Sequence, residues 1–268
     1  IYYYQTFNGL QDIIDKQVAT HIHVSSIHFG NNKDGSPYIH LNDEPPNNKI
    51  FDTVWKECYE ASDQGIYIIL MVGGAGGAFS YLFDKFDTYY PLLKKCIESQ
   101  PCIKGIDLDI EEYVKLTDVK RLIRQIKDDF GKDFIISMAP LGGSLMSDDS
   151  GMGGFVYKTL FESPEGKMID YFNGQFYGSF SFDSYVTAIQ NGYPPEKVVM
   201  GMESTEFTKE TFVMALDEVY KIKQKYPNFG GVFNWEYFSS PPQPSIPSEW
   251  ATEMYTIIHA NNYRCSIQ

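Results

Sequence analysis

The chain of 268 residues is predicted to be an α/β protein, a single (β/α)8 TIM barrel without a large insertion domain. Three observations carry this prediction. Strand-like and helix-like segments alternate along the sequence, which implies a parallel sheet with right-handed crossovers. The segment Ile66 to Val72 is a near-continuous apolar run, the pattern of a strand buried on both faces. Eight such units fit a barrel domain of about 250 residues. An open doubly wound sheet is the alternative fold, but no Gly-x-Gly-x-x-Gly opens the first helix. No linker or low-complexity stretch divides the chain, so residues 1–268 are read as one domain.

The elements follow in order. Tyr2 to Phe7 is extended and Gly9 to Val18 a short helix; His21 to Phe29 is β-rich. Asn31 to Asn48 is a polar excursion, with Asp34-Gly35 as a turn and Pro45-Pro46 as a stop. Asp52 to Gln64 is helical, Ile66 to Val72 a strand, and Tyr81 to Ser99 helical with a division at Pro91. Ile103 to Ile110 is the next strand. Thr117 to Phe130 is an amphipathic helix that starts at Thr117-Asp118 and stops at Gly131. Four strands follow, at Phe134 to Ala139, Tyr171 to Tyr177, Val198 to Met202 and Gly231 to Trp235. Helices follow at Phe155 to Phe161, Phe182 to Gln190, Thr208 to Lys225 and Glu249 to Asn261.

Composition excludes several classes of function. Hydrophobic residues make up 43% of the chain, enough for a large core and too many for a disordered protein. The net charge of −13 argues against nucleic acid, whose phosphates require basic patches, and suits a neutral partner. No apolar run approaches the roughly 20 residues that span a bilayer. Cys58, Cys96, Cys102 and Cys265 show no zinc spacing and leave disulfides and buried thiols both open. No Asn-x-Ser/Thr sequon occurs. The five His residues show no metal spacing beyond the alternation of His21 and His23. Gly73 to Gly77 lacks the Lys-Ser/Thr ending of a phosphate loop; close backbone approach explains its glycines better.

The segment Gly105 to Glu111 carries the chemistry. Side chains alternate faces along a strand, so Asp107, Asp109 and Glu111 should point into the barrel and Ile106, Leu108 and Ile110 toward the helices. Crowded carboxylates push protons back onto some members of the group, which keeps one of them available as a general acid. A hard-cation site is the competing reading, and a solvated acidic loop would not be interleaved with Ile and Leu. In this fold active groups sit at the C-terminal ends of the strands.

The run resembles the Asp-Gly-x-Asp-x-Asp-x-Glu signature of glycoside hydrolase family 18 from its second position onward, with Lys104 where the signature has its first Asp. Met71-Val72-Gly73-Gly74, Ser137-Met138-Ala139-Pro140, Gln175-Phe176-Tyr177 and Trp235 resemble further family segments in order and place. The resemblance implies a chitinase-like endo-glycosidase that cleaves β-1,4 bonds between N-acetylglucosamine units. It implies retaining, substrate-assisted catalysis, an exception to the two-carboxylate scheme. Glu111 would be the acid, Asp109 and Tyr177 would hold the acetamido group, and Asp107 would tune Asp109. Trp235, Gln175, Met138 and Gly74 would contact the sugar, Trp235 as its floor; Met138 also reads as wall packing, and Gln175 as a satisfier of barrel backbone. Glu203 reads equally as a sugar contact or a surface ion pair. No cofactor and no metal are expected. The expected partner is chitin or an N-acetylglucosamine oligosaccharide, with no nucleic acid and no membrane, and the expected state is a secreted monomer. An endo-β-N-acetylglucosaminidase acting on N-glycans is the close alternative and a non-catalytic chitin-binding lectin the more distant one. Lys104 removes a supporting charge near the strand start and leaves the acid in place. The short connection after the seventh strand predicts an open groove.

Overall fold

A computed structural model describes residues 1–259. Eight parallel strands close into a barrel: β1 (Tyr2–Tyr4), β2 (His21–Asn31), β4 (Tyr67–Gly73), β5 (Ile103–Asp109), β6 (Ile135–Met138), β7 (Tyr171–Gln175), β8 (Val198–Glu203) and β9 (Val232–Trp235). Closure comes from β1, which pairs in parallel with both β2 and β9. The remaining strand, β3 (Pro37–Leu41), runs antiparallel to the outer half of β2 and lies outside the ring.

The barrel was legible in the alternation; β3 was not. It falls in the excursion from Asn31 to Asn48, where Asp34-Gly35 forms the tip of a hairpin. After α1 (Gln11–Lys16) and α2 (Asp52–Asp63), the helix predicted from Tyr81 to Ser99 divides at Lys85, giving α3 (Phe79–Asp84) and α4 (Phe86–Glu98). Pro91 is inside α4. Lacking an N–H, it leaves the Asp87 carbonyl without its usual donor, and both residues face solvent, where water can replace it.

The helices explain themselves through their buried faces. In α5 (Leu116–Phe130) the buried residues are Val119, Leu122, Ile123 and Ile126, a helical stripe against the sheet. The long helix Lys209–Lys225 is capped by Thr208, whose hydroxyl accepts the Thr211 N–H at 3.3 Å. The main apolar core lies between strands and helices and includes Ile106, Leu108 and Ile110. A smaller cluster of Tyr3, Met71, Val199 and Phe233 plugs the barrel interior, with Tyr177 and Trp235 packed on it. That plug is the floor on which the polar groups of the mouth rest. Cys58, Cys96 and Cys102 are buried free thiols; Cys265 lies outside the described residues, as does the end of the predicted last helix.

Candidate active site

The alternation along β5 turns Asp107 and Asp109 inward and buries both, at 0% and 6% exposure. Glu111 lies two residues past the strand end, half-buried at the mouth. The three carboxyl groups therefore climb from the closed barrel interior to solvent, and their surroundings differ at each level.

Asp107 at the bottom is surrounded by donors. Its Oδ2 accepts the Tyr3 hydroxyl at 2.7 Å, and its Oδ1 accepts Ser137 Oγ at 2.5 Å and Asn173 Nδ2 at 3.3 Å. The His23 ring approaches to 3.5 Å. Burial pushes the Asp107 carboxyl up, but His23, Ser137 and Tyr3 outweigh it, so the group sits below the ordinary carboxylate value and stays ionised. Asp109 lies one pleat higher and is driven the other way. Burial, then Glu111 and the ionised Asp107, raise it well above the ordinary value, with the Gln175 amide opposing at 3.1 Å. Asp109 is therefore far harder to ionise than Asp107 beneath it. Glu111 is also raised, by burial, with Gln175 again opposing.

Gln175 at the end of β7 is thus a shared donor. Its Nε2 reaches Asp109 Oδ1 and, at 2.8 Å, the carbonyl of Ala139. Tyr177 stands beside the carboxyl groups; burial and then Asp109, Glu203 and Glu111 raise its phenol, which keeps its proton. Glu203 accepts the Thr205 hydroxyl at 2.5 Å. Gly74 closes the β4 side. Its φ of +79° is a left-handed conformation that suits glycine, and an added Cβ would lie 3.1 Å from Met71 Cε and 3.5 Å from Asp109 Oδ2.

The structure thus gathers Asp107, Asp109, Glu111, Tyr177, Gln175 and Gly74 in one place, with Trp235 on the interior plug, its ring 5.4 Å from that of Tyr3. Met138 does not join them. Since Ser137 points inward, Met138 points outward, and it is fully buried in the core between sheet and helices. Lys104 is exposed at the start of β5 and donates to the Pro101 carbonyl at 2.8 Å, far down the strand from the carboxyl groups.

Sequence reading missed two sets of groups. His23, Ser137 and Asn173 form, with Tyr3, the polar network under Asp107; strand parity could have found them once the registers were known. The second set clamps the mouth. Glu112 accepts the backbone N–H groups of Ala78, of Phe79 at 2.5 Å and of Ser80 at 3.2 Å. Glu206 accepts the Gly178 N–H at 2.8 Å, and Glu236 accepts those of Gln5 and Thr6, both at 2.9 Å. Glu111, Tyr177 and Trp235 are each followed directly by a residue held in such a bond.

Comparison with known proteins places this geometry. A fungal endo-β-N-acetylglucosaminidase of glycosyl hydrolase family 18 superposes with a TM-score of 0.84 and is 31% identical, covering 96% of this chain and 97% of its own. The chain belongs to glycosyl hydrolase family 18. Chitinase ChiC from Aspergillus fumigatus is similar as well, with a TM-score of 0.81 and 30% identity over 96% of this chain and 98% of the other. Chitinase 2 of Rhizopus oligosporus is 22% identical over 241 residues, 80% of this chain; the match spans 42% of that relative's length. No family model matches the sequence.

Proposed function

We propose that this family 18 chain hydrolyses the β-1,4 bond between two N-acetylglucosamine units, with chitin oligosaccharides as its substrate, by a retaining route in which the substrate supplies the nucleophile. The observation that carries this reading is the ladder of three carboxyl groups on and just past one strand, each in different surroundings. Asp107 is buried among donors that lower it, Asp109 one pleat higher is buried and raised, and Glu111 is raised at the mouth.

In this reading Glu111 protonates the glycosidic oxygen as the 2-acetamido oxygen attacks the anomeric carbon, closing an oxazolinium ring. The C–O bond to the leaving sugar breaks, and Glu111 is left as a carboxylate. Asp109 accepts the acetamido N–H and so stabilises the positive charge that develops, while the charge of Asp107 below it tunes its protonation. Tyr177 donates to the acetamido oxygen and Trp235 supports the pyranose ring. Glu111 then takes a proton from water, which opens the ring at the anomeric carbon and restores the β configuration.

The N-glycan core contains the same linkage, and the 31% identity to an endo-β-N-acetylglucosaminidase favours that substrate as a second reading. The presence of Glu111 beside Asp109 and Tyr177 supports an enzyme over a carbohydrate-binding protein. Incubation with chitin oligosaccharides and with a high-mannose glycoprotein, followed by product masses, tests both. Short chitin oligomers are the expected products; release of the glycan alone would move the assignment to the second reading, and no product from either substrate would remove it.

A further inference from the structure

The barrel closes along a short seam. β1 and β9 share one register pair, Tyr2 with Asn234, whereas β8 and β9 share four. Trp235 stands at the end of β9, half-buried, and its ring packs across this seam on the Tyr3 ring of β1, with the planes 57° apart. The tilt of the Trp235 ring therefore depends on how β9 sits against β1.

Glu236, the next residue, spans the seam where strand pairing has ended. Its Oε2 accepts the N–H groups of Gln5 and Thr6, each at 2.9 Å, and its Oε1 accepts the Thr6 hydroxyl at 2.7 Å. The Gln5 carbonyl in turn accepts Asn42 Nδ2 at 3.2 Å, which ties the same stretch to the turn after β3. The other end of Glu236 is held from the β8 side. Its carbonyl accepts the Ser239 N–H at 3.2 Å and lies 3.1 Å from Ser204 Oγ. Asn234, before Trp235, is buried between Ser204 and Ser240: its Oδ1 lies 2.7 Å from Ser204 Oγ, and its Nδ2 donates to Ser240 Oγ at 2.7 Å. Trp235 is thus bracketed by two anchored neighbours.

The three donors occupy both oxygens of the Glu236 carboxyl group, which leaves it a poor ligand for a sugar hydroxyl. They are two backbone amides and a hydroxyl, with no cation among them, so the bonds fix a distance more than they neutralise a charge. A glutamine keeps an oxygen that can accept the two N–H groups, and its amide can donate to Thr6 Oγ1.

We propose that Glu236 is a positioning residue, a latch across the β1–β9 seam that sets the Trp235 ring at the angle needed to support the pyranose ring. This rests on the place given to Trp235 in the reading above.

The test joins kinetics to a measurement that needs no turnover. The indole N–H resonance of Trp235 is assigned by its disappearance in Trp235→Phe. In Glu236→Ala that resonance is expected to shift, while those of Trp55 and Trp250, bonded to the Pro46 carbonyl and Met202 Sδ, stay in place. KM for a chitin hexasaccharide should rise about tenfold with kcat within about threefold, the mark of a lost binding contact. Glu236→Gln should return both the resonance and KM toward their original values. A lowered melting temperature in Glu236→Ala with the Trp235 resonance and KM unmoved would mean a merely structural role and overturns the proposal, as does a Gln variant that behaves like the Ala variant. In the unsubstituted protein the Thr6 amide should exchange slowly although Thr6 is exposed; exchange at the rate of a free peptide overturns the latch even if Glu236→Ala fails to fold. A Trp235 resonance that moves in a protein cleaving neither chitin nor N-glycan would sustain the latch and remove the hydrolase reading; an unmoved resonance in an active enzyme would do the reverse.

Discussion

The Glu112 carboxylate accepts the backbone N–H of Phe79 at 2.5 Å, and this bond fastens the residue beside Glu111 to the start of α3. Neighbouring bonds to Ala78 and Ser80 complete the clamp. Burial pushes the Glu112 carboxyl up, but these donors outweigh it and hold it below its ordinary value. Glu111 has left the strand, so its direction depends on such anchors. Replacing Glu112 by Ala is expected to lower kcat about tenfold with little change in KM, because a displaced acid harms the transition state more than binding. It should also cost about 0.5–2 kcal/mol of stability, as loss of a helix cap does. Steady-state kinetics and thermal melts check both; an unchanged kcat would show that Glu111 is placed without the clamp.

The shared donor Gln175 gives a pH prediction. Its amide opposes the rise of both Asp109 and Glu111. A bond to the charged form stabilises that form, so Gln175→Leu should raise both carboxyl groups further. The acid Glu111 then keeps its proton to higher pH, and the basic limb of the kcat/KM profile should move upward. A limb that moves downward would mean that Gln175 does not act on the acid.

Tyr3→Phe tests the network below. The phenol donates to Asp107 and accepts from Asn173 Nδ2 at 2.9 Å, so its removal leaves a buried carboxylate short of a donor. The expected cost is about 1–3 kcal/mol at neutral pH. Asp107 is lowered in the folded state, so its contribution is present above the ordinary carboxylate value of about 3.9 and lost as pH falls through the lowered one. The gap between the two proteins in denaturant unfolding should therefore shrink on acidification below about pH 4. A gap that widens would mean that the phenol does not serve the ionised carboxylate.

These residues also mark where the sequence was readable. The β5 ladder was legible because two-residue alternation of acids with Ile and Leu admits one orientation in a closed barrel. Tyr2, Tyr3 and Tyr4 have identical composition, and a three-residue strand carries no parity of its own; pairing with β2 and β9 turns Tyr3 inward and the other two toward the helices. Met138 was misplaced because a motif marks a segment without saying which of its residues face the site. The β3 strand was hidden because Pro, Asn and Asp around it signal turns, while its apolar face is only Ile39 and Leu41. The clamps were hidden because a carboxylate that bonds a distant backbone looks in sequence like any surface Glu.

Glu111→Gln is expected to abolish turnover while oligosaccharide binding persists. Gln preserves shape but donates no acidic proton, and general acid–base catalysis contributes about 10²–10⁴-fold. Calorimetric binding beside a product assay separates the two effects. Activity within a few-fold of the original would remove Glu111 from its role.

The nucleophile itself can be tested through the substrate. If the acetamido oxygen attacks, no carboxylate of the protein becomes glycosylated, and a chain without that group has nothing to attack with. Fully deacetylated chitosan and cellulose should then resist cleavage even where they bind. Asp109→Asn and Tyr177→Phe should each slow turnover more than they weaken binding, because their contacts strengthen as the ring closes. A stable thiazoline mimic of the cyclic intermediate should inhibit strongly for the same reason. Stereochemistry decides between mechanisms. Ring closure and ring opening are two displacements at one carbon, so the first product must carry the β configuration. Proton NMR early in the hydrolysis of a chitin oligomer, before mutarotation, reads the anomer directly. Initial appearance of the α anomer would mean a single displacement by water, and the roles given to Asp109 and Tyr177 would have to be abandoned.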